Sequence, residues 1–234
     1  MFVVIIRGWN CTKYLARCMQ SLADQTCQDW RAQIMIDASN DGSEGDALGY
    51  QSGRVRVNIT HPRKGVGHNL YYGLLSAAPA DDDIVCILDA DDWLYNYALA
   101  VVEHTYKKTQ CLATYGSFEL ESSGEKSSIC KPYGRHDEPR KAKWRASHLK
   151  TFKGKVFNFI PPEYMQHKGE FVPAASDLAL MMSVMEVAGM RNCVHIPKVL
   201  YHYRNHTPFT QDRDKQRKYD KIIREKTPLP RAFN

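Results

Sequence analysis

Three carboxylates fall within four positions at Asp89-Ala90-Asp91-Asp92, directly after the apolar run Ile84-Val85-Cys86-Ile87-Leu88 and just before Trp93. Carboxylates this close repel one another in a low-dielectric site, and a divalent cation or a set of backbone donors relieves that repulsion. A short apolar run bounded by polar residues reads as a buried strand. An acidic turn at the end of such a strand points to a metal–nucleotide site. In isolation the same Asp-x-Asp would read as a helix N-cap whose extra charge favours the helix dipole.

Two further polar clusters sit at equivalent places. Arg7 to Asn10 follow the apolar Phe2-Val3-Val4-Ile5-Ile6, and Asp37 to Ser43 follow a second strand-like run from Arg31 to Ile36. Loops at the carboxyl ends of strands in an open α/β sheet converge on one crevice, where ligands bind. There, Asp37 can accept the imide N–H of a uracil or a ribose hydroxyl, and Trp9 offers a flat face to a base. Asp89 and Asp91 can bind ribose and a metal that bridges a diphosphate. Taken singly, Trp9 reads as a packing residue and Asp37-Ala38-Ser39 as a turn. Order, spacing and strand-end placement together favour a nucleotide site.

The elements that must position these groups alternate strand and helix. After the strand at Phe2 to Ile6, Asn10 or Thr12 caps a helix with apolar positions Leu15, Cys18, Met19 and Leu22 at helical spacing. Strands follow at Arg31 to Ile36, Val55 to Ile59 and Ile84 to Leu88, with a helix from His68 to Ala77 before the last. The spacing predicts a helix over Tyr97 to Lys107 and a strand over Cys111 to Phe118. A long loop or hairpin is expected from Glu121 to Pro139, a helix over Asp177 to Ala188 closed by Gly189, and an extended segment over Val194 to Tyr203. Residues 1–110 are expected to form a nucleotide-binding half and 111–234 a second half with the basic segment and C-terminal tail, packed as one domain.

A chain of 234 residues, 43% of them apolar, can bury a good core. No segment reaches the roughly 20 apolar residues that span a bilayer, and Met1 to Ile6 lacks the leading charge of a signal peptide, so a cytoplasmic protein is expected. Seven cysteines show no Cys-x-x-Cys pair and no zinc spacing, which suits reduced core residues. The net charge of +6 is unevenly placed. Residues 1–110 carry ten Lys/Arg against 13 Asp/Glu, residues 131–155 carry nine basic residues against two acidic ones, and the last 24 residues add a net +4. The basic face could attract phosphate, an acidic glycan, nucleic acid or anionic lipid headgroups, or simply keep the protein soluble.

The residues resemble a family-2 glycosyltransferase of the GT-A type. Phe2 to Asn10 followed by Tyr14-Leu15, Ser21-Leu22 and Gln25-Thr26 is similar to that family's opening strand, turn and helix. Asp37-Ala38-Ser39-Asn40-Asp41-Gly42-Ser43 resembles its Asp-Gly-Ser-Thr-Asp-Gly turn, Gly65-Val66-Gly67-His68-Asn69 with Gly73 its Gly…Arg-Asn…Gly segment, and Leu88 to Trp93 its acidic turn. The resemblance implies an α/β, Rossmann-like mixed, mostly parallel sheet flanked by helices, with a smaller acceptor-side lobe. It also implies a metal-dependent inverting hexosyltransferase using a UDP-sugar and Mn²⁺ or Mg²⁺, with a glycan or lipid-linked glycan acceptor. Arg7, Trp9, Asp37, Asp89, Asp91 and Arg204 would hold the donor, and Asp91, Asp89 and His202 the metal. Ala175-Ser176-Asp177-Leu178 resembles the motif that carries the catalytic base, which makes Asp177 the candidate. As plain residue pattern, Asp177 also fits a first-turn acid of an amphipathic helix.

Tyr201 to His206 resembles the family's closing strand and basic loop, with His202, Arg204 or His206 contacting metal or phosphate; on an extended chain His202 and His206 lie about 13 Å apart. Trp144 and His148 to Lys153 resemble the variable acceptor-side segment. Departures are Arg7-Gly8-Trp9-Asn10 for Pro-Thr-Tyr-Asn, Ile36 for the first of two aspartates, His68 for Arg and Ser176 for an acid. Two other readings stay open: a sugar-nucleotide nucleotidyltransferase, and a nonenzymatic glycan or nucleic-acid binding module. No nucleic-acid partner is expected, and membrane contact would be peripheral.

Overall fold

A computed structural model describes residues 1–204 and 212–233. The first half alternates strand and helix: β1 (Phe2–Gly8), α1 (Thr12–Ala23), β2 (Trp30–Asp37), α2 (Ser43–Leu48), β3 (Val55–Thr60), α3 (Val66–Ala77) and β4 (Ile84–Asp89). The second adds β5 (Trp93–Leu94), α4 (Ala98–Thr109), β6 (Ala113–Leu120), β7 (Lys150–Lys153), α5 (Gly154–Phe157), the small hairpin β8 (Gln166–His167) and β9 (Glu170–Phe171), α6 (Ser176–Ala188), β10 (Cys193–Tyr203) and α7 (Arg213–Arg224). Among the described residues eight strands form one sheet in the order β3-β2-β1-β4-β7-β6-β10-β5. The first four are mutually parallel, β6 and β10 are parallel to each other, and β7 and β5 run antiparallel to their neighbours. The sheet is mixed and mostly parallel, and strands from both halves of the chain share it.

Strands covered on both faces read as continuous apolar runs, which is how β1 and β4 appear in sequence. Val4, Ile6, Cys86 and Leu88 pack with Leu15, Leu22 and Leu99 of α1 and α4 on one face. Val3, Ile5, Val85 and Ile87 pack with Leu70 and Leu74 of α3 and Met181, Met182 and Met185 of α6 on the other. Every residue of α6 except Asp177 is buried. The helix is the spine of that second core layer, so its period alone gave no solvent face to find.

Three local expectations are corrected. The turn after β2 closes into the short helix α2, which its turn-forming residues had concealed. The first amides of α1 are capped from that neighbouring loop: Ser43 Oγ accepts from Cys11 N–H at 2.7 Å and Asp41 Oδ2 from Thr12 N–H at 3.1 Å, while neither Asn10 nor Thr12 acts as the cap. The segment assigned to the acceptor side becomes the central strand β7, in which Lys150, Thr151 and Phe152 are buried, and Trp144 packs against the core.

Gly67, in the first turn of α3, seats that helix against the segment leading to α6. A Cβ there would lie 2.4 Å from the Val172 carbonyl oxygen, a backbone atom that cannot swing aside. Gly67→Ala is expected to destabilise the fold by about 1–3 kcal/mol through overpacking. A urea midpoint equal to that of the wild type would rule out this close approach.

Candidate functional site

The register of β1 against β4 places Arg7 directly beside Asp89 at the carboxyl ends of the two strands. Arg7 is 8% exposed and donates to Asp89 and, at 3.2 Å, to Ser176 Oγ at the start of α6. Burial works against the Arg7 charge, but Asp89 and Asp177 outweigh it and raise its pKa. Burial pushes the Asp89 carboxyl up; Arg7, then His148 and Lys150, more than offset this and leave it below the usual carboxylate range.

A cleft of about 560 Å³ opens above this pair. Arg7, Trp9, Asp37, Asp89, Asp91 and Asp177 all line it. At one end Trp9 is 46% exposed, and the Arg63 guanidinium lies 3.6 Å over its ring. Asp37 accepts from the Lys64 and Gly65 amides at 2.8 and 3.0 Å and from Arg63 Nε at 3.4 Å, so its carboxylate ties down the loop before α3. Ala38 beside it has φ 45°, a left-handed conformation that suits the glycine of the turn it resembles.

The acidic turn divides its three carboxylates. Asp89 faces Arg7. Asp91 pairs with Arg204, whose guanidinium stacks 3.8 Å over Tyr14 and donates to the Tyr14 hydroxyl. Asp92 points inward, fully buried, and accepts from the Tyr201 hydroxyl at 2.6 Å and the Arg204 amide at 2.8 Å. Burial, with Asp91 and Asp89 next, pushes Asp92 well above the usual carboxylate range.

Asp177 stands on the first turn of α6, with its Oδ2 2.7 Å from the ammonium of Lys150. Burial raises its pKa, and Lys150, then Arg7, overcome this and hold the carboxyl far below its ordinary value. About a third of its side chain, 32%, remains open to the cleft. His148 stacks on Tyr201 at 4.5 Å between ring centroids; burial and then Lys150 push it down to about 3, so it is a neutral imidazole at physiological pH.

Asp89, Asp92 and His148 offer ligand atoms within 4.8 Å of one another, a set that could hold a metal ion. Carboxyl oxygens with an imidazole nitrogen are ligand types that a divalent cation takes. The structure does not bring His202 there. Along β10 side chains alternate, so Tyr201 reaches the acidic turn while His202 turns to Glu119 at 3.1 Å and packs 4.1 Å from the Tyr95 ring. The histidine beside the acidic turn, among the described residues, is His148. His206 lies outside the described residues. Arg63 and, at the start of α7, Asp212, Lys215 and Gln216 are cleft-lining groups that sequence reasoning missed, and His148, Lys150 and Tyr201 were noted only within longer segments, without their partners here. The Tyr-x-Tyr alternation around His202 carried a signal for Tyr201.

The sequence profile described as glycosyl transferase family 2 matches residues 3–160. The chain belongs to glycosyl transferase family 2. EpsH of Bacillus subtilis (strain 168), itself assigned as a glycosyltransferase, is 25% identical over 160 residues, which are 67% of this chain and 44% of that protein. Among solved structures, S. aureus TarS superposes with a TM-score of 0.67 at 16% identity, covering 87% of this chain and 36% of that one. TarS 1-349 in complex with UDP-GlcNAc gives the same TM-score at 15% identity, over 88% of this chain and 59% of that one. The chain therefore spans less than two thirds of these relatives. The family-2 membership and the shared fold agree with the GT-A-type sheet expected from the sequence motifs. No helix among the described residues is long and apolar enough to cross a membrane.

Tyr201 joins the two parts of the acidic turn, donating to Asp92 and accepting from the Asp89 amide at 3.4 Å. Tyr201→Phe removes the hydroxyl from a fully buried position and leaves an Asp92 oxygen without its donor. The expected loss is about 1–3 kcal/mol of unfolding free energy. Denaturant titration that shows no loss would mean the Asp92 contact is not made.

Proposed function

We propose that this chain is the donor-binding and catalytic unit of a metal-dependent, inverting glycosyltransferase that moves a hexose from a UDP-sugar to a hydroxyl of a glycan or lipid-linked glycan. The observation that carries this reading is a single cleft with the exposed Trp9 ring and Asp37 at one end, acidic and cationic groups at its centre, and the ionised carboxylate of Asp177 beyond them. Family membership favours glycosyl transfer over the nucleotidyltransferase and binding-module readings.

In this reading Trp9 flanks the base and Asp37 shapes the loop around it. Asp89 and Asp91 would hold ribose and the divalent ion, with Asp92 and His148 as the further ligands offered beside Asp89. The ion, when bound, neutralises the charge that develops on the departing diphosphate. Arg7 and Arg204 hold the two acids in place and present cationic charge to the same region. Asp177 takes the proton of the acceptor hydroxyl as that oxygen attacks the anomeric carbon from the face opposite the leaving group, a one-step displacement with inversion. A uridine donor is supported by the fold shared with TarS, which has been solved with UDP-GlcNAc. The basic surface supplies a peripheral contact for an anionic acceptor or membrane, and a cytoplasmic location completes the reading.

Thermal melting with UDP and UDP-GlcNAc, each with and without Mn²⁺, tests the assignment. A ligand at 100 times its dissociation constant adds about 2.7 kcal/mol of stability. Metal-dependent stabilisation by either ligand is expected, and Asp91→Ala should abolish both that response and turnover. Full activity in the Asp91 variant, or no response to any nucleotide, would overturn the proposal.

A further inference from the structure

Lys150 is 1% exposed, in the middle strand of the sheet, with Ile87 of β4 on one side and Tyr115 of β6 on the other. Lysine is almost never fully buried unless paired, and a buried ion pair is poor evidence of a stabilising device, because apolar side chains of similar size stabilise as well or better. A charge retained here calls for a chemical reason. Its Nζ lies 2.7 Å from Asp177 Oδ2 and 3.3 Å from His148 Nδ1. Among the described residues Asp177 has no other ion pair.

We propose that Lys150 is the positioning residue for the catalytic base. It holds Asp177 Oδ2, fixes the carboxylate plane, and leaves Oδ1 to receive the proton of the attacking hydroxyl. The inference rests on the reading of Asp177 as that base. The surroundings leave the side chain little else to depend on. The helix behind Asp177 is buried along its whole length, and Ser176 next to it is held by Arg7, so the backbone is already fixed and only the carboxylate torsions remain free. Lys150 removes that freedom from below, out of reach of solvent. Arg7 and Lys150 act as paired struts: one ties the donor-side Asp89 to the start of α6, the other ties the acceptor-side Asp177 to the central strand. The distance between donor and base is then set by the sheet and not by a loop.

The test uses UDP release from UDP-GlcNAc with Mn²⁺ and water as acceptor, together with calorimetric binding of UDP-GlcNAc. Lys150→Met is expected to lower kcat about 100-fold, the scale of losing a well-placed general base, while donor KM and Kd stay within about threefold of wild type. Lys150→Arg keeps a cation at the same place and should recover about tenfold over the Met variant. In the Asp177→Asn background, adding Lys150→Met should slow release no further. Release by Lys150→Met within about threefold of wild type, with Asp177→Asn inactive, would overturn the positioning role and leave the base intact. Undiminished release by Asp177→Asn would instead overturn the base assignment beneath it. Absence of donor binding and release in the wild type would overturn both. Should Lys150→Met melt too early to assay, the double variant, which removes both charges together, should melt above it; equal melting would overturn the coupling.

Discussion

One buried cation and the carboxylate beside it hold the centre of this molecule. Parallel pairing of β1 and β4 in one register sets Arg7, almost closed off from water, against Asp89 at the floor of the cleft, and Arg7 could not remain there alone, since an unpaired ion in a protein interior costs several kcal/mol. From that contact the polar floor spreads in two directions. Arg7 reaches Ser176 and so fixes the start of α6, which carries Asp177 to Lys150. The turn after Asp89 carries Asp92 to Tyr201 and Asp91 to Arg204. This network lies at one edge of two apolar layers, and the burial of their Leu, Ile, Val and Met side chains, on the order of 1.5–3 kcal/mol each, offsets the cost of keeping ions in the interior.

Carboxylates of similar chemistry take different roles because their neighbours differ. Asp89 and Asp177 each face a buried cation and stay ionised in spite of burial. Asp92, three positions beyond Asp89, meets only neutral donors and the field of two other acids, and its proton is held more tightly. The charge of the neighbours, and not the carboxyl itself, sets which of these groups gives up its proton readily. The other end of the cleft follows a different logic. There Trp9, Arg63 and Asp37 form a stacked and hydrogen-bonded patch near the surface, suited to a planar ligand.

Much of this was legible in the chain. The doubly buried strands β1 and β4 announced themselves as apolar runs, and the polar residues that ended them marked the face on which the cleft opens. Helix α3 showed through its periodicity, and α6 through its cluster of Leu and Met before Gly189, although nothing in that pattern told that it would be enclosed all round. The small helix α2 was hidden because Asp, Asn, Gly and Ser favour turns whether or not a helix follows. The cap of α1 was sought next to it in sequence and came instead from residues some 30 positions later.

The sequence by itself determined the alternation of strand and helix, the carboxyl-end placement of Arg7, Trp9, Asp37, Asp89 and Asp91, and the family to which they belong, because these follow from short-range hydrophobic patterning and from motifs read within a few residues. Only the tertiary structure decided the partners. Lys150 lies 27 positions from Asp177 and 61 from Asp89. Its strand, Lys-Thr-Phe-Lys, is too short and too polar to read as the middle of a sheet; insertion between β4 and β6 is what buries it. Strand alternation on β10 allows either the tyrosines or His202 to face the acidic turn, and packing against Tyr95 and Glu119 selected the tyrosines. Long-range pairings of this kind are set by which faces can exclude water together, a property of the assembled layers and of no single segment.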